Sequence, residues 1–250
     1  MNINIKNCDV NIITGTETLE ISGKTEITAA DKTPATNTES TPATNTESTP
    51  AEETGVISQM TYTPKSILKN FDNVRIGDRV RLPAFTVPAV KMDGEEVLAF
   101  DEKHINADEA IVIGKDKNGD LILIFDHYLF ESAIDLNNEK RFEMTQLGQY
   151  LQSEFLRAMN GAGIPAESCG LISKEEMFGD NALEYFKTGR NRIAFDFDEY
   201  CSRYYWLSTL YNEETSAAFF CSASNIGGAH YSRASLAYYC VRPRFIIHKS

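Results

Sequence analysis

Hydrophobic and polar positions change character several times along the chain. Over residues 1–28 apolar side chains alternate weakly (Ile3, Ile5, Val10, Ile12, then Leu19 and Ile21), which predicts short strands and a small β-rich segment over 1–30. The pattern then stops. An eight-residue repeat, TPATNTES, runs over Thr33–Ser40 and again over Thr41–Ser48, and restarts as TPAEE. The repeat holds no aliphatic residue larger than Ala and no aromatic, so it cannot bury enough surface to offset the entropy of ordering. Residues 31–57 read as a disordered linker, and the remainder, 58–250, as one globular domain.

Within that domain Val74–Leu82 alternates and predicts a strand. Ala110–Gly114 and Asp120–Phe125 are apolar runs joined by Lys115–Gly119, where Asn118-Gly119 signals a hairpin. Thr145 opens a helix carrying Leu147, Leu151, Phe155 and Ala158 at three- and four-residue spacing, and Gly161 and Gly163 close it. Ser173 and Glu176 have capping-box spacing and open a second helix. Short β-like pieces follow at Arg203–Ser208, Ser216–Ser222 and Tyr238–Ile247. Strands, two helices, then strands make an α+β fold, with two helices packed on small antiparallel sheets.

Charge narrows the partners. The chain carries 24 basic and 36 acidic residues, a formal net charge of −12. That disfavours nucleic acid and anionic membrane surfaces, both of which select basic footprints. From Arg203 onward the balance reverses, with five basic residues against two acidic, so the C-terminal block is chemically distinct. No apolar run reaches the length of a membrane helix, and the start, MNINIKNCDVNI, lacks the pattern of a secretory signal. The expectation is a protein made soluble in the cytoplasm that reaches a virion or cell surface by another route. Five cysteines (Cys8, Cys169, Cys201, Cys221, Cys240) are odd in number and widely spaced, which reads as buried free thiols rather than a disulfide framework or zinc site.

Catalytic and metal motifs are weak. Asp116, Asn118 and Asp120 begin like a calcium loop, but its glycine and glutamate positions hold Leu121 and His127. A hairpin turn explains them better. Asp196, Asp198 and Glu199 form a tight acidic group, yet Phe195 and Phe197 alternate with them, as on a strand edge with one buried face. The four histidines show no pairing at helical spacing, and no nucleophile elbow, P-loop or dinucleotide fingerprint occurs. We therefore expect no catalytic residue, metal or cofactor.

Composition supplies the strongest signal. Residues 200–245 hold 11 aromatics in 46 positions, seven of the chain's 11 tyrosines among them, interleaved with seven serines between Ser202 and Ser235. Tyrosine provides stiff contact area at low entropic cost, and serine provides adaptable hydrogen bonds, as in antibody paratopes. An aromatic β core is the alternative. A core would be richer in Val, Ile and Leu, so a binding surface is favoured.

Two motifs in this region carry a resemblance. YWLST at Tyr205–Thr209 and VRPRF at Val241–Phe245 resemble the C-type-lectin-fold domains of phage and gut-bacterial surface proteins, and the helix from Thr145 with CGLISKEEM at Cys169–Met177 agrees. The resemblance covers Phe71–Ile247 and implies a C-type-lectin-like domain over 58–250. Some members are variable proteins of diversity-generating retroelements, whose adenine-directed mutagenesis never produces Lys, Glu, Gln, Met or Trp. None of those five occurs from Thr215 to Arg242. The resemblance implies scaffold roles for Trp206, Leu207, Val241, Pro243 and Phe245, and an Arg242 that hydrogen-bonds buried backbone. It implies a ligand face of Tyr211, Asn212, Ser222, Ser224, His230, Tyr231, Arg233, Ser235 and Tyr238. The expected partner is a protein or glycan on a cell surface, with the N-terminal segment available for self-association or virion attachment. EPN, QPD and WND are missing, so calcium-dependent sugar binding is not implied. A rival is a cysteine-dependent oxidase related to formylglycine-generating enzymes, using Cys221 and Cys240.

Overall fold

The computed structural model describes residues 59–91, 97–197, 201–212 and 216–249, all within one compact unit, Ile57–Ser250. The expected β-rich segment (1–30) and linker (31–57) lie outside the described residues. In chain order the first strands are β1 (Thr61–Tyr62), β2 (Arg79–Leu82), β3 (Phe85–Val87), β4 (Val90–Lys91), β5 (Ala99–Phe100), β6 (Lys103–Ile105), β7 (Asp108–Lys115), β8 (Leu121–Phe125) and β9 (Phe130–Glu131). After the central helices come β10 (Ser168–Gly170), β11 (Tyr205–Leu210), β12 (Phe219–Ala223), β13 (Ala229–Arg233), β14 (Cys240–Val241) and β15 (Arg244–Ile247). The helices are α1 (Pro64–Lys69), α2 (Gln146–Tyr150), α3 (Leu156–Gly161) and α4 (Lys174–Phe178). The architecture is α+β.

Two sheets dominate. One runs β1-β2-β7-β8-β15-β10, and the other β13-β12-β11-β14-β9. Small two-stranded pairs, β3–β6 and β4–β5, sit outside them. The β7–β8 hairpin lies at the centre, and every residue of β8 is buried. Side chains alternate across a strand, so this hairpin feeds two cores. Leu121, Leu123 and Phe125 enter one with Leu147, Leu151, Phe155 and Met159 of the helical run. Ile122 and Ile124 enter the other with Tyr205, Leu207, Cys221, Ala223 and Cys240 of the second sheet.

Local chemistry explains the boundaries. At the hairpin tip Asp116 accepts the N–H groups of Asn118 and Asp120 through Oδ1, at 2.8 and 2.9 Å, and Gly119 takes φ 86°. Those residues are fully explained as a turn. Thr145 caps α2, its Oγ1 accepting from the Gly148 N–H at 3.0 Å. Only glycine fits at 148, because a Cβ there would lie 1.9 Å from the Phe142 carbonyl oxygen. The expected single helix is broken in character: α2 and α3 are joined by a π-helical stretch, Leu151–Phe155. Ser173 and Glu176 form the reciprocal capping box that opens α4.

Other expectations are corrected. Val74–Leu82 is a strand only from Arg79, because the Asp78 carboxylate closes the preceding turn by accepting the Arg75 N–H at 2.9 Å. Tyr238–Ile247 divides into β14 and β15, which belong to different sheets. Pro243 between them has no N–H to continue a ladder. β13 was not expected, since its residues are nearly all exposed and lack hydrophobic periodicity. Cys169, Cys221 and Cys240 are buried free thiols, as expected.

Trp206, Val241 and Phe245 are fully buried, consistent with scaffold positions. The Trp206 indole donates to the Ser132 carbonyl at 2.8 Å. Arg242 is only 1% exposed and donates through Nε to the Phe125 carbonyl at 2.8 Å and through Nη2 to the Asp126 carbonyl at 3.2 Å. The expected backbone role of Arg242 is met. It ties the junction of β14 and β15 to the end of β8.

Candidate ligand-binding surface

β12 and β13 form an antiparallel hairpin at the edge of the second sheet, with Cys221 opposite Tyr231, Ser222 opposite His230 and Phe219 opposite Arg233. β12 is flanked by β11 and β13, while β13 pairs only with β12 among the described residues. That asymmetry decides which side chains reach solvent.

On one face Tyr231 stacks on Tyr211, with ring centroids 3.7 Å apart and planes 6° from parallel. Tyr211 is held at the end of β11 by its N–H, which donates to the Phe219 carbonyl at 2.7 Å. Phe219 meets Tyr231 edge-on at 6.4 Å, and the Arg233 guanidinium lies 5.8 Å from the Phe219 ring centre. The rings stay 49% (Tyr211) and 43% (Tyr231) exposed, so this is a platform and not a core. The neighbouring Tyr231 hydroxyl pushes the Tyr211 phenol above its ordinary pKa.

The opposite face grades from core to solvent. Buried Trp206 stacks on Tyr239 at 4.3 Å, and Tyr239 touches exposed Tyr238 and Tyr204 at 5.2 and 5.7 Å. His230 meets Tyr204 edge-on at 5.2 Å. The Tyr239 hydroxyl and Ser232 Oγ share a hydrogen bond of 2.5 Å, which anchors this aromatic ladder to β13. Tyr204 and Phe219 were not among the expected ligand-face residues. Their place in the aromatic-rich stretch was the available signal, but their facing required the strand register.

Of the expected face, Tyr211, His230, Tyr231, Arg233, Ser235 and Tyr238 are exposed, and Asn212 is half-buried beside Tyr211. Two expectations fail. Ser222 is fully buried, because neighbouring strands and Trp206 cover its side of β12. Ser224 is 7% exposed and structural: its Oγ accepts from the Gly228 N–H at 2.9 Å, shaping the turn in which Gly227 takes φ 78°.

The rival chemistry is poorly served. Burial pushes the Cys240 thiol up to about 12 and raises the Cys221 thiol too, so neither supplies a thiolate near neutral pH. In the acidic group, Asp198 and Glu199 lie outside the described residues, and Asp196 accepts the Cys201 N–H at 3.3 Å. Phe195 and Phe197 are each 43% exposed, contrary to the expected buried face. Phe195 forms isolated bridges with His127 and Ser202, and the Phe197 ring meets His127 edge-on at 5.2 Å. Among the described residues no cluster of three or more His, Cys, Asp or Glu side chains is arranged to hold a metal.

A separate cleft of about 400 Å³ is lined by His104, His127, Phe130, Phe197 and Arg203. The Asp108 carboxylate meets His127 Nδ1 at 2.7 Å and raises the imidazole pKa despite its partial burial. No sequence motif marked this pair. Its members are 19 residues apart and meet only through the β7–β8 hairpin.

Comparison with protein-family models, with curated proteins and with solved structures found no match. Among the described residues no helix is long and apolar enough to cross a membrane.

Proposed function

We propose that this protein recognises a ligand without bond chemistry, through the aromatic surface of β11–β13 on a C-type-lectin-like domain. The observation that carries this reading is the Tyr211–Tyr231 stack, left half in water on a sheet edge whose other side is anchored by Trp206 and Tyr239. Large rings held rigidly at a solvent boundary lose little entropy when a partner covers them. Arg233 lies on the face of the stack, and His230 and Tyr238 offer further donors on the opposite face of the hairpin. The ligand is a protein or glycan on a cell surface, and the domain is displayed on a phage particle or cell surface through residues 1–57. Multiple copies would then add avidity.

The tail that bears these rings is the stretch free of Lys, Glu, Gln, Met and Trp. This supports diversification by a retroelement, tested by searching the flanking DNA for a near-copy of the 3′ end of the gene that differs only at adenines. The oxidase reading has less support, because its two thiols are buried and disfavoured as thiolates.

The test is a pull-down from intact cells using the full chain, comparing wild type with Tyr211→Ala and Tyr231→Ala. Each truncation should weaken capture at least tenfold while leaving the far-ultraviolet spectrum unchanged. Full capture by both variants would refute the assignment.

A further inference from the structure

β13 is a sheet edge without the usual protection. Among the described residues it is the longest strand at a margin of the two main sheets, five residues against two in β1 and β9 and three in β10. Edges are normally kept short, bulged, covered, or marked with Lys or Pro, because a bare one templates pairing with another strand. Here Ala229, His230, Tyr231 and Arg233 are exposed, and the strand AHYSR has neither Lys nor Pro. The β12–β13 ladder runs without a register shift, whereas β11–β12 and β7–β8 are both irregular.

Hydrogen bonding identifies which backbone groups are open. The Ser224 N–H reaches the Gly228 carbonyl at 2.8 Å, and the Ala234 N–H reaches the Ala218 carbonyl at 2.9 Å. Hydrogen-bonded pairs alternate along an antiparallel ladder, so His230 and Ser232 also turn their N–H and C=O groups toward β12. Ala229, Tyr231 and Arg233 therefore turn theirs away from it. The Arg233 carbonyl accepts the Leu236 N–H at 3.1 Å. Both outward groups of Ala229 and Tyr231, and the Arg233 N–H, have no partner among the described residues.

We propose that β13 pairs antiparallel with β13 of a second copy of this chain, about a two-fold axis at Tyr231. The strand is complementary to itself in that register. The two Tyr231 residues exchange N–H to carbonyl bonds, and each Arg233 N–H meets the partner's Ala229 carbonyl. Arg233, the strand's one Lys or Arg, falls opposite Ala229, so like charges do not meet across the pair. Directly opposed residues share a face, so the two Tyr211–Tyr231 stacks join on one side of a continuous sheet. One five-residue edge covers less than the ~1,200 Å² of a stable interface, so the pair is weak and forms where copies are concentrated.

The test is analytical ultracentrifugation of the full chain at physiological ionic strength, with amide hydrogen exchange at both ends of the concentration range. That range runs from ~1 µM to ~1 mM, the effective concentration of linked copies. Self-association should grow toward the upper end, and protection of the Tyr231 amide should rise severalfold with it. The Ser232 amide, already bonded to β12, should not change. Tyr231→Ala and Tyr231→Pro both lose the ring, but only the proline loses the outward N–H, so it should weaken association at least tenfold relative to the alanine. Ala229→Pro keeps the Tyr211–Tyr231 stack, so it should lose self-association yet still capture ligand, which separates this proposal from the recognition reading. If the proline variants fail to fold, the concentration dependence of the wild-type Tyr231 amide decides. A chain that is monomeric at ~1 mM, or that associates with the Tyr231 amide unprotected, would overturn the proposal. Protection that appears only when ligand is added to a monomeric chain would also overturn it, and would give the edge to a strand of the ligand.

Discussion

If Tyr231 serves a partner more than the fold, removing its ring should cost the free protein little. Consider Tyr231→Ala beside Trp206→Ala. Tyr231 is 43% exposed, so a little over half of its ring is covered, chiefly by Tyr211 and Phe219. A fully buried aromatic removes about 150–250 Å² from water, so the covered part is on the order of 100 Å². At about 25 cal/mol per Å² that is worth up to ~2.5 kcal/mol, an upper bound because the unfolded chain already shields some surface. Relaxation of Tyr211 onto the vacated strand returns part of this, and we expect a loss of about 1–2 kcal/mol. Trp206 is fully buried, stacked on Tyr239 and hydrogen-bonded to Ser132, so its truncation should cost about 3–5 kcal/mol. Urea denaturation followed by circular dichroism measures both. A double-mutant cycle with Tyr211→Ala should return a coupling of about 0.5–1.5 kcal/mol, as for stacked rings. A Tyr231→Ala loss equal to that of Trp206→Ala would make the ring a structural element and remove the reason for treating it as a recognition residue.

Two further outcomes follow from the interior. Arg242→Met keeps the volume but leaves the Phe125 and Asp126 carbonyls without their charged donor, so urea melts should show a loss of about 2–4 kcal/mol; a loss under about 1 kcal/mol would mean the buried guanidinium is not stabilising. His127 is more easily protonated in the folded state because Asp108 holds it, with Asp126 adding to the pull and Arg242 opposing it. Its contribution is therefore complete below the unfolded imidazole pKa of about 6.5 and fades as pH rises through the higher folded value. Urea midpoints of wild type should fall more steeply than those of His127→Gln between pH 6 and the alkaline range, and parallel curves would contradict the pairing.

How much of this was legible beforehand depends on whether the cause was local. The Asp116–Asp120 turn, the Thr145 cap and the Ser173–Glu176 box are short-range hydrogen-bonding devices, and each appears where the residues predict it. The backbone role of Arg242 was accessible through the VRPRF resemblance. The reading of the aromatic tail as a surface holds only in part: Tyr204, Tyr211, Tyr231 and Tyr238 are exposed, whereas Tyr205, Trp206, Phe220, Tyr239 and Phe245 are buried in the two cores. The π-helical stretch and the unpatterned strand β13 left no such trace, because packing and edge position create them.

The sequence by itself determined the Asp116–Asp120 turn, the starts of α2 and α4, and that the aromatic tail is chemically unlike the rest, while α1 went unread. Only the tertiary structure decided which members of that tail meet solvent. Ser222 and His230 are opposite one another in the same ladder, yet one is fully buried and the other exposed. The physical reason is position in the sheet: β12 has a strand on either side, and β13 is its edge. Neighbours assigned by long-range pairing set burial, and no local pattern encodes them.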